Sequence, residues 1–313
     1  MVLGIVPLDQ TVKEMKTIRF YKDIVCEAWV TFLFMTALTQ SSMNFGETPA
    51  MSTFVRSVMG LFVMALIDAY GHINYALFNP NLVVSFIITQ RLSIPKGILY
   101  IVAEVLAGAG ASQMVYSFTP SNISSALTPP SAVEGIAIWS SWSCELIAVF
   151  FFCSVVIAAI DEKSRPVNIP HLAVGFSVMS VTAVMGPYGV CLNPVVSFGL
   201  SMITSSWDKH WVYWTAGPIG AIIGPCSYHF FQYDVRSLCK AELEHDNAKK
   251  VELMDNGTIN KAFADENSIS IISSTVNLRD LPTDNGNDNP PPKVMSKTFE
   301  TGTNNNNPYK RDY

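Results

Sequence analysis

Charge is scarce in this 313-residue sequence. Lys, Arg, Asp and Glu make up 14% of it against 49% apolar residues, and the mean hydropathy is positive at +0.28. Soluble domains carry about 25% charged residues. Only six Lys or Arg and nine Asp or Glu lie between Ile24 and Tyr233, so two thirds of the charge sits in the two ends. The net charge of −5 is therefore largely a property of the ends and says little about partners. Cys-x-x-Cys pairs are absent, and the six cysteines fall mostly in apolar runs, which argues against disulfides or a thiolate metal site and for small core residues. Catalytic signatures are missing too. There is no Gly-x-Ser-x-Gly, no His-Glu-x-x-His and no phosphate-cradling glycine loop, and the five histidines are scattered. Neither an enzyme, a cofactor, a metal nor a nucleic-acid partner is expected. A cleavable signal peptide is not expected either, because Lys13, Glu14, Lys16, Arg19, Lys22 and Asp23 precede the first apolar run.

Apolar runs are what the sequence has instead. Six long ones cover about 24–40, 52–70, 97–118, 137–160, 170–186 and 211–233. Crossing a bilayer as a helix takes about 20 such residues. Two shorter stretches, about 79–89 and 193–203, each open on Asn-Pro: Asn79-Pro80-Asn81 and Asn193-Pro194-Val195. Asparagine is a good N-cap, and proline suits the first helical position because its missing N–H would have had no partner there. Each stretch therefore reads as a half-helix too short to span. The half-helices follow the second and fifth runs, giving three spans and a half-helix twice over. An all-α membrane protein with paired half-helices points to a solute path at their junction.

The two halves echo each other. Cys26-Glu27 opens the first run as Cys144-Glu145 opens the fourth, and Phe32 and Phe34 match Phe150 and Phe152 at the same offset. Three spans per half is an odd number, so the second half enters from the opposite side and the repeat is inverted. Lys and Arg lie in the N-terminal segment, in 90–96 (Arg91, Lys96), in 161–169 (Lys163, Arg165) and after 233, while 41–51 and 119–136 have none. Lys209, beside Asp208, is the exception. Both termini are thus expected to be cytoplasmic. Asn122-Ile-Ser124 is a glycosylation sequon in a connection placed outside by this rule. From about Asp234 the sequence turns polar, with Pro290-Pro291-Pro292 and four asparagines at 304–307, and is expected to be largely disordered. The expected division is a tail over 1–20, a membrane domain over 21–233 and a tail over 234–313.

Several blocks in order carry a family resemblance. These are Gly71-His72-Ile73 ahead of Pro80, Tyr100-Ile-Val-Ala103, Ala159-Ile160-Asp161-Glu162-Lys163, and Trp207-Asp-Lys-His-Trp-Val-Tyr-Trp214 leading to Gly217-Pro218. Over roughly residues 20–233 the sequence resembles the aquaporin (major intrinsic protein) family. Ser197, Tyr213 and Trp214 resemble its water-selective branch; glycerol channels tend to carry Asp at the position of Ser197. The resemblance implies a passive channel for water or small uncharged solutes, six spans plus two half-helices, no cofactor, and a homotetramer in a lipid bilayer such as the plasma membrane. Asn79 and Asn193 would be donors at the pore centre. Glu27 and Glu145 would support the loops, and His72 would pack in one.

Departures from the family pattern set the questions for the structure. The usual Asn-Pro-Ala is replaced by Asn-Pro-Asn81 and Asn-Pro-Val195, so these larger side chains are expected to crowd the centre. An arginine usual in the narrow filter is replaced by Val196. Counting from the two motifs places the other filter positions at Met59, Val181 and Val190, which makes the filter wholly apolar. Loss of the arginine widens the opening and dries it. Alternatives are a pore for glycerol, urea, peroxide or a gas, an ion leak, or a non-conducting protein acting in adhesion, scaffolding or interaction. Glu104 and Asp68 are further candidates, because a carboxylate at membrane depth is costly. Gly220-x-x-x-Gly224 is expected to serve close helix packing within the protomer.

Overall fold

The computed structural model describes residues 6–43, 49–124, 127–161 and 169–232. The C-terminal segment 234–313 and the Lys163–Arg165 connection lie outside the described residues. Two short helices, α1 (Leu8–Met15) and α6 (Ser121–Ser124), accompany the predicted ones. The six spans are α2 (Ile18–Ser41), α3 (Pro49–Asn74), α5 (Ile94–Phe118), α7 (Ile138–Ala159), α8 (Pro170–Met185) and α10 (Trp211–Gln232). The half-helices are α4 (Pro80–Ile88) and α9 (Pro194–Thr204). Four helices are long and apolar enough to cross a membrane by composition: α2, α5, α7, and α8 with the 3₁₀ turn that extends it to Tyr188. The remaining two, α3 and α10, are 26 and 22 residues long, and α10 carries Pro218 and Pro225 within it.

Helix ends follow local chemistry. α2 starts earlier than its apolar run because the Thr17 side chain caps it, accepting from the Phe20 N–H at 3.3 Å. The buried positions of α2, Phe20, Asp23, Glu27, Val30, Thr31 and Phe34 among them, recur three and four apart, so one stripe faces inward. Lys96, near the start of α5, is buried between two acids, 2.7 Å from Glu14 of α1 and 2.8 Å from Asp23 of α2. A buried cation needs such partners, and this one ties three elements together.

Packing follows the inverted repeat. Within each half the first and last spans lie side by side, α2 on α5 and α7 on α10. Between halves α3 lies on α8, while each half-helix packs on the other half's last span, α4 on α10 and α9 on α5. Glycines permit the closest of these approaches. A Cβ on Gly220 would stand 2.6 Å from the Leu146 carbonyl oxygen, and one on Gly224 would stand 2.5 Å from that of Phe150. The Gly220-x-x-x-Gly224 stripe therefore seats α10 on α7 within the protomer.

Candidate functional site

Each half-helix is started by its own asparagine. The Asn79 side-chain oxygen accepts from the Asn81 N–H at 3.0 Å, and that of Asn193 accepts from the Val195 N–H at 3.0 Å. The side-chain nitrogens reach across to the other half. Asn79 Nδ2 donates to the Leu192 carbonyl at 3.0 Å, and Asn193 Nδ2 donates to the Phe78 carbonyl at 2.7 Å. Phe78 and Leu192, the residues just before the asparagines, both have positive φ (34° and 63°). Such backbone in a non-glycine residue costs on the order of 1–3 kcal/mol and persists only where its surroundings hold it.

Buried carboxylates provide that hold. Glu27 accepts from the Phe78 N–H, from Leu77 at 3.4 Å and from Asn74 Nδ2 at 2.7 Å. Glu145 accepts from Cys191 at 2.7 Å and from Leu192 at 2.9 Å. Both are fully buried, and so is Glu104, which accepts the Asn79 backbone N–H at 2.9 Å. Each residue preceding an asparagine thus has its N–H held by an acid of its own half and its carbonyl held by the asparagine of the other half.

Motif residues Asn81 and Val195 do not crowd the centre as expected. Val195 faces Gly108 of α5, and Asn81 faces Gly217 of α10, where an added Cβ would stand 2.6 Å from Asn81 Nδ2. Both residues, like Pro80 and Pro194, are buried. The extra volume is taken up by a missing side chain on the opposing span.

Asn79 and Asn193 border a cavity of about 310 Å³ that also touches Phe78, Leu192 and the connection Thr128–Ser131. Met59, Val190 and Val196 lie on its wall. Val181, counted into the filter, does not. Helix α8 meets the cavity through Val178 and Thr182, while Val181 is buried elsewhere. Adjacent positions on a helix point about 100° apart, whereas Val178 and Thr182, four apart, share one face. Tyr213 shapes the same wall, its single hydroxyl hydrogen shared between the carbonyls of Pro130 at 2.8 Å and Gly189 at 2.9 Å.

His72 also departs from expectation. Helix α3 continues to Asn74, so His72 is an exposed helical residue beside a second cavity of about 400 Å³ near α1, and is no loop-packing group. Asn74 takes the loop-supporting place, donating to Glu27 and accepting the Ala76 N–H at 3.2 Å. Asp68 stays exposed at 3.6 Å from His171, and Asn122 is exposed on α6.

Ser197 sits outside the cavity wall, in a chain of hydrogen bonds joining α9 to α10. His210 Nδ1 lies 2.7 Å from Ser197 Oγ, and Trp214 Nε1 donates to His210 Nε2 at 2.9 Å. An indole nitrogen only donates, so Nε2 accepts and the neutral ring carries its proton on Nδ1. Burial pushes the His210 imidazole below its ordinary pKa.

Comparison with known proteins agrees with this architecture. A model of the major intrinsic protein family matches residues 14–228. The chain is 27% identical over 220 residues to aquaporin-4 of Notomys alexis, covering 68% of each. It is 27% identical over 223 residues to the lens fiber major intrinsic protein of Ovis aries, covering 70% of this chain and 84% of that protein. The aquaglyceroporin from Plasmodium falciparum superposes with a TM-score of 0.59 at 19% identity, covering 67% of this chain and 95% of its own, and shares the fold. With half-helices started by paired asparagines and a family match across most of its length, the chain belongs to the major intrinsic protein family.

Proposed function

We propose that the chain conducts water, and small uncharged solutes of similar width, passively through the cavity between the half-helices. As a member of its family the chain is a membrane channel and not an enzyme. The observation that carries the choice of permeant path is the reciprocal pair of bonds from Asn79 to Leu192 and from Asn193 to Phe78 on the cavity wall. A side-chain amide has two N–H donors. Each asparagine uses one on the opposite carbonyl and keeps the other for a passing oxygen. The N-termini of α4 and α9 each add about half a positive charge, which disfavours cations and breaks proton relay along a water file. Met59, Val190, Val196 and Val178 supply an apolar constriction, with the Thr182 hydroxyl as its polar element. Glu27 and Glu145 keep the carbonyls aimed. A non-conducting scaffold is not favoured, since the asparagines border open space.

Residues 21–233 form the channel domain in this reading, with both termini cytoplasmic, Asn122 outside and open to glycosylation, and four copies assembled in the plasma membrane. Osmotic swelling of proteoliposomes, run beside Val196→Arg, tests the permeant. Swelling above empty vesicles in the parent supports a water pore that works without a filter arginine. Swelling only in Val196→Arg moves the permeant to another small solute, and swelling in neither overturns the water reading.

A further inference from the structure

We propose that Asn81 tunes selectivity at the pore centre from behind the wall, by occupying the second lone pair of the Leu192 carbonyl. The inference rests on the channel reading above. Asn81 is fully buried and does not border the central cavity. Its Nδ2 donates to the Leu192 carbonyl at 2.9 Å, beside the bond of 3.0 Å from Asn79. A carbonyl oxygen has two lone pairs, so Leu192 has none left for a permeant.

The other half lacks this second bond. The Phe78 carbonyl receives Asn193 at 2.7 Å, and the residue in the place of Asn81 is Val195, which has no side-chain donor. Phe78 therefore keeps a lone pair toward the cavity. The Asn81 side-chain oxygen, buried against Gly217, has no partner among the described residues. Turning the amide over would set that oxygen against the Leu192 oxygen, so the donor orientation is forced. A solute passing the centre meets amide donors from both halves but a free acceptor from one. Water, which must donate as well as accept, loses a docking point, whereas solutes with fewer hydrogens to donate do not.

The test reads single carbonyls. Leu192-Asn193 is the sole Leu-Asn dipeptide in the sequence and Phe78-Asn79 the sole Phe-Asn. Carbonyl-¹³C leucine or phenylalanine combined with ¹⁵N asparagine therefore isolates each in solid-state NMR of the full chain in lipid. A carbonyl carbon moves downfield with each hydrogen bond its oxygen accepts. In Asn81→Val, which repeats the residue of the other half, the Leu192 signal is expected upfield of the parent with Phe78 unmoved. Osmotic water permeability per inserted protein is expected to rise at least twofold. Asn81→Ala gives the same readings should the valine variant fail to insert. An unmoved Leu192 signal, or variants no faster than a conducting parent, overturns the role of Asn81 alone. No swelling in the parent or either variant overturns the water reading together with it.

Discussion

Gly60 and Gly175 face each other where α3 crosses α8, each placing its missing Cβ 2.7 Å from the other's carbonyl oxygen. Met179 and Met64 close over the same two positions; their flexible side chains can turn aside, but the facing carbonyl oxygens cannot yield without moving backbone. Gly60→Ala is expected to lower stability by about 1–3 kcal/mol, the usual cost of overpacking. Thermal unfolding in detergent checks it. Gly110→Ala is the control, since a Cβ there meets nothing within 4 Å.

The contact between Val195 and Gly108 makes a second, compensable prediction. Gly108→Ala is expected to reduce both stability and water permeability, because its methyl occupies the space of the Val195 side chain. Adding Val195→Ala is expected to restore most of both. A double-mutant cycle reads the coupling at about 1–3 kcal/mol; additive losses would mean that the two residues do not share that space.

At the constriction, Thr182→Val is expected to slow water several-fold, since it removes a hydroxyl from the cavity wall. Val181→Ala is expected to leave permeation unchanged and to lower stability, as a buried truncation does. Stopped-flow swelling with both variants decides between them. Sensitivity at Val181 with silence at Thr182 would return the filter to its counted position.

Acid is expected to loosen the α9–α10 junction. The folded His210 has a lowered pKa from burial, and the Trp214 N–H aimed at Nε2 opposes a second ring proton. The unfolded chain therefore binds a proton more readily, and stability is lost as pH falls below the ordinary histidine value of 6.5 toward the folded one. Above 6.5 the contribution is complete. His210→Asn is expected to flatten the dependence of the unfolding temperature between pH 7 and 5, compared with the parent in the same detergent.

Local chemistry fixed the elements of this protein before any tertiary contact. Two Asn-Pro starts, six long apolar runs and acids at matching places in the two halves are enough to write down spans, half-helices and an inverted repeat. Each depends on short-range rules of capping, hydrophobic length and spacing, and these survive in one dimension. The loop-supporting role of Glu27 and Glu145 was legible only through the family resemblance, although their matching places in the two halves are a local pattern. Only the folded chain decided which neighbour each side chain meets. The glycines opposite Asn81 and Val195, Gly217 and Gly108, lie far from them in sequence, so crowding was the natural expectation and relief the outcome. That α8 meets the cavity through Val178 and Thr182 rather than Val181 depends on how the helix is seated against its neighbours. The extra turn of α3 that carries His72 away from the loop and brings Asn74 to Glu27 ends at a residue held by tertiary hydrogen bonds. Pairings of this kind depend on the relative rotation and approach of elements, which no local pattern encodes.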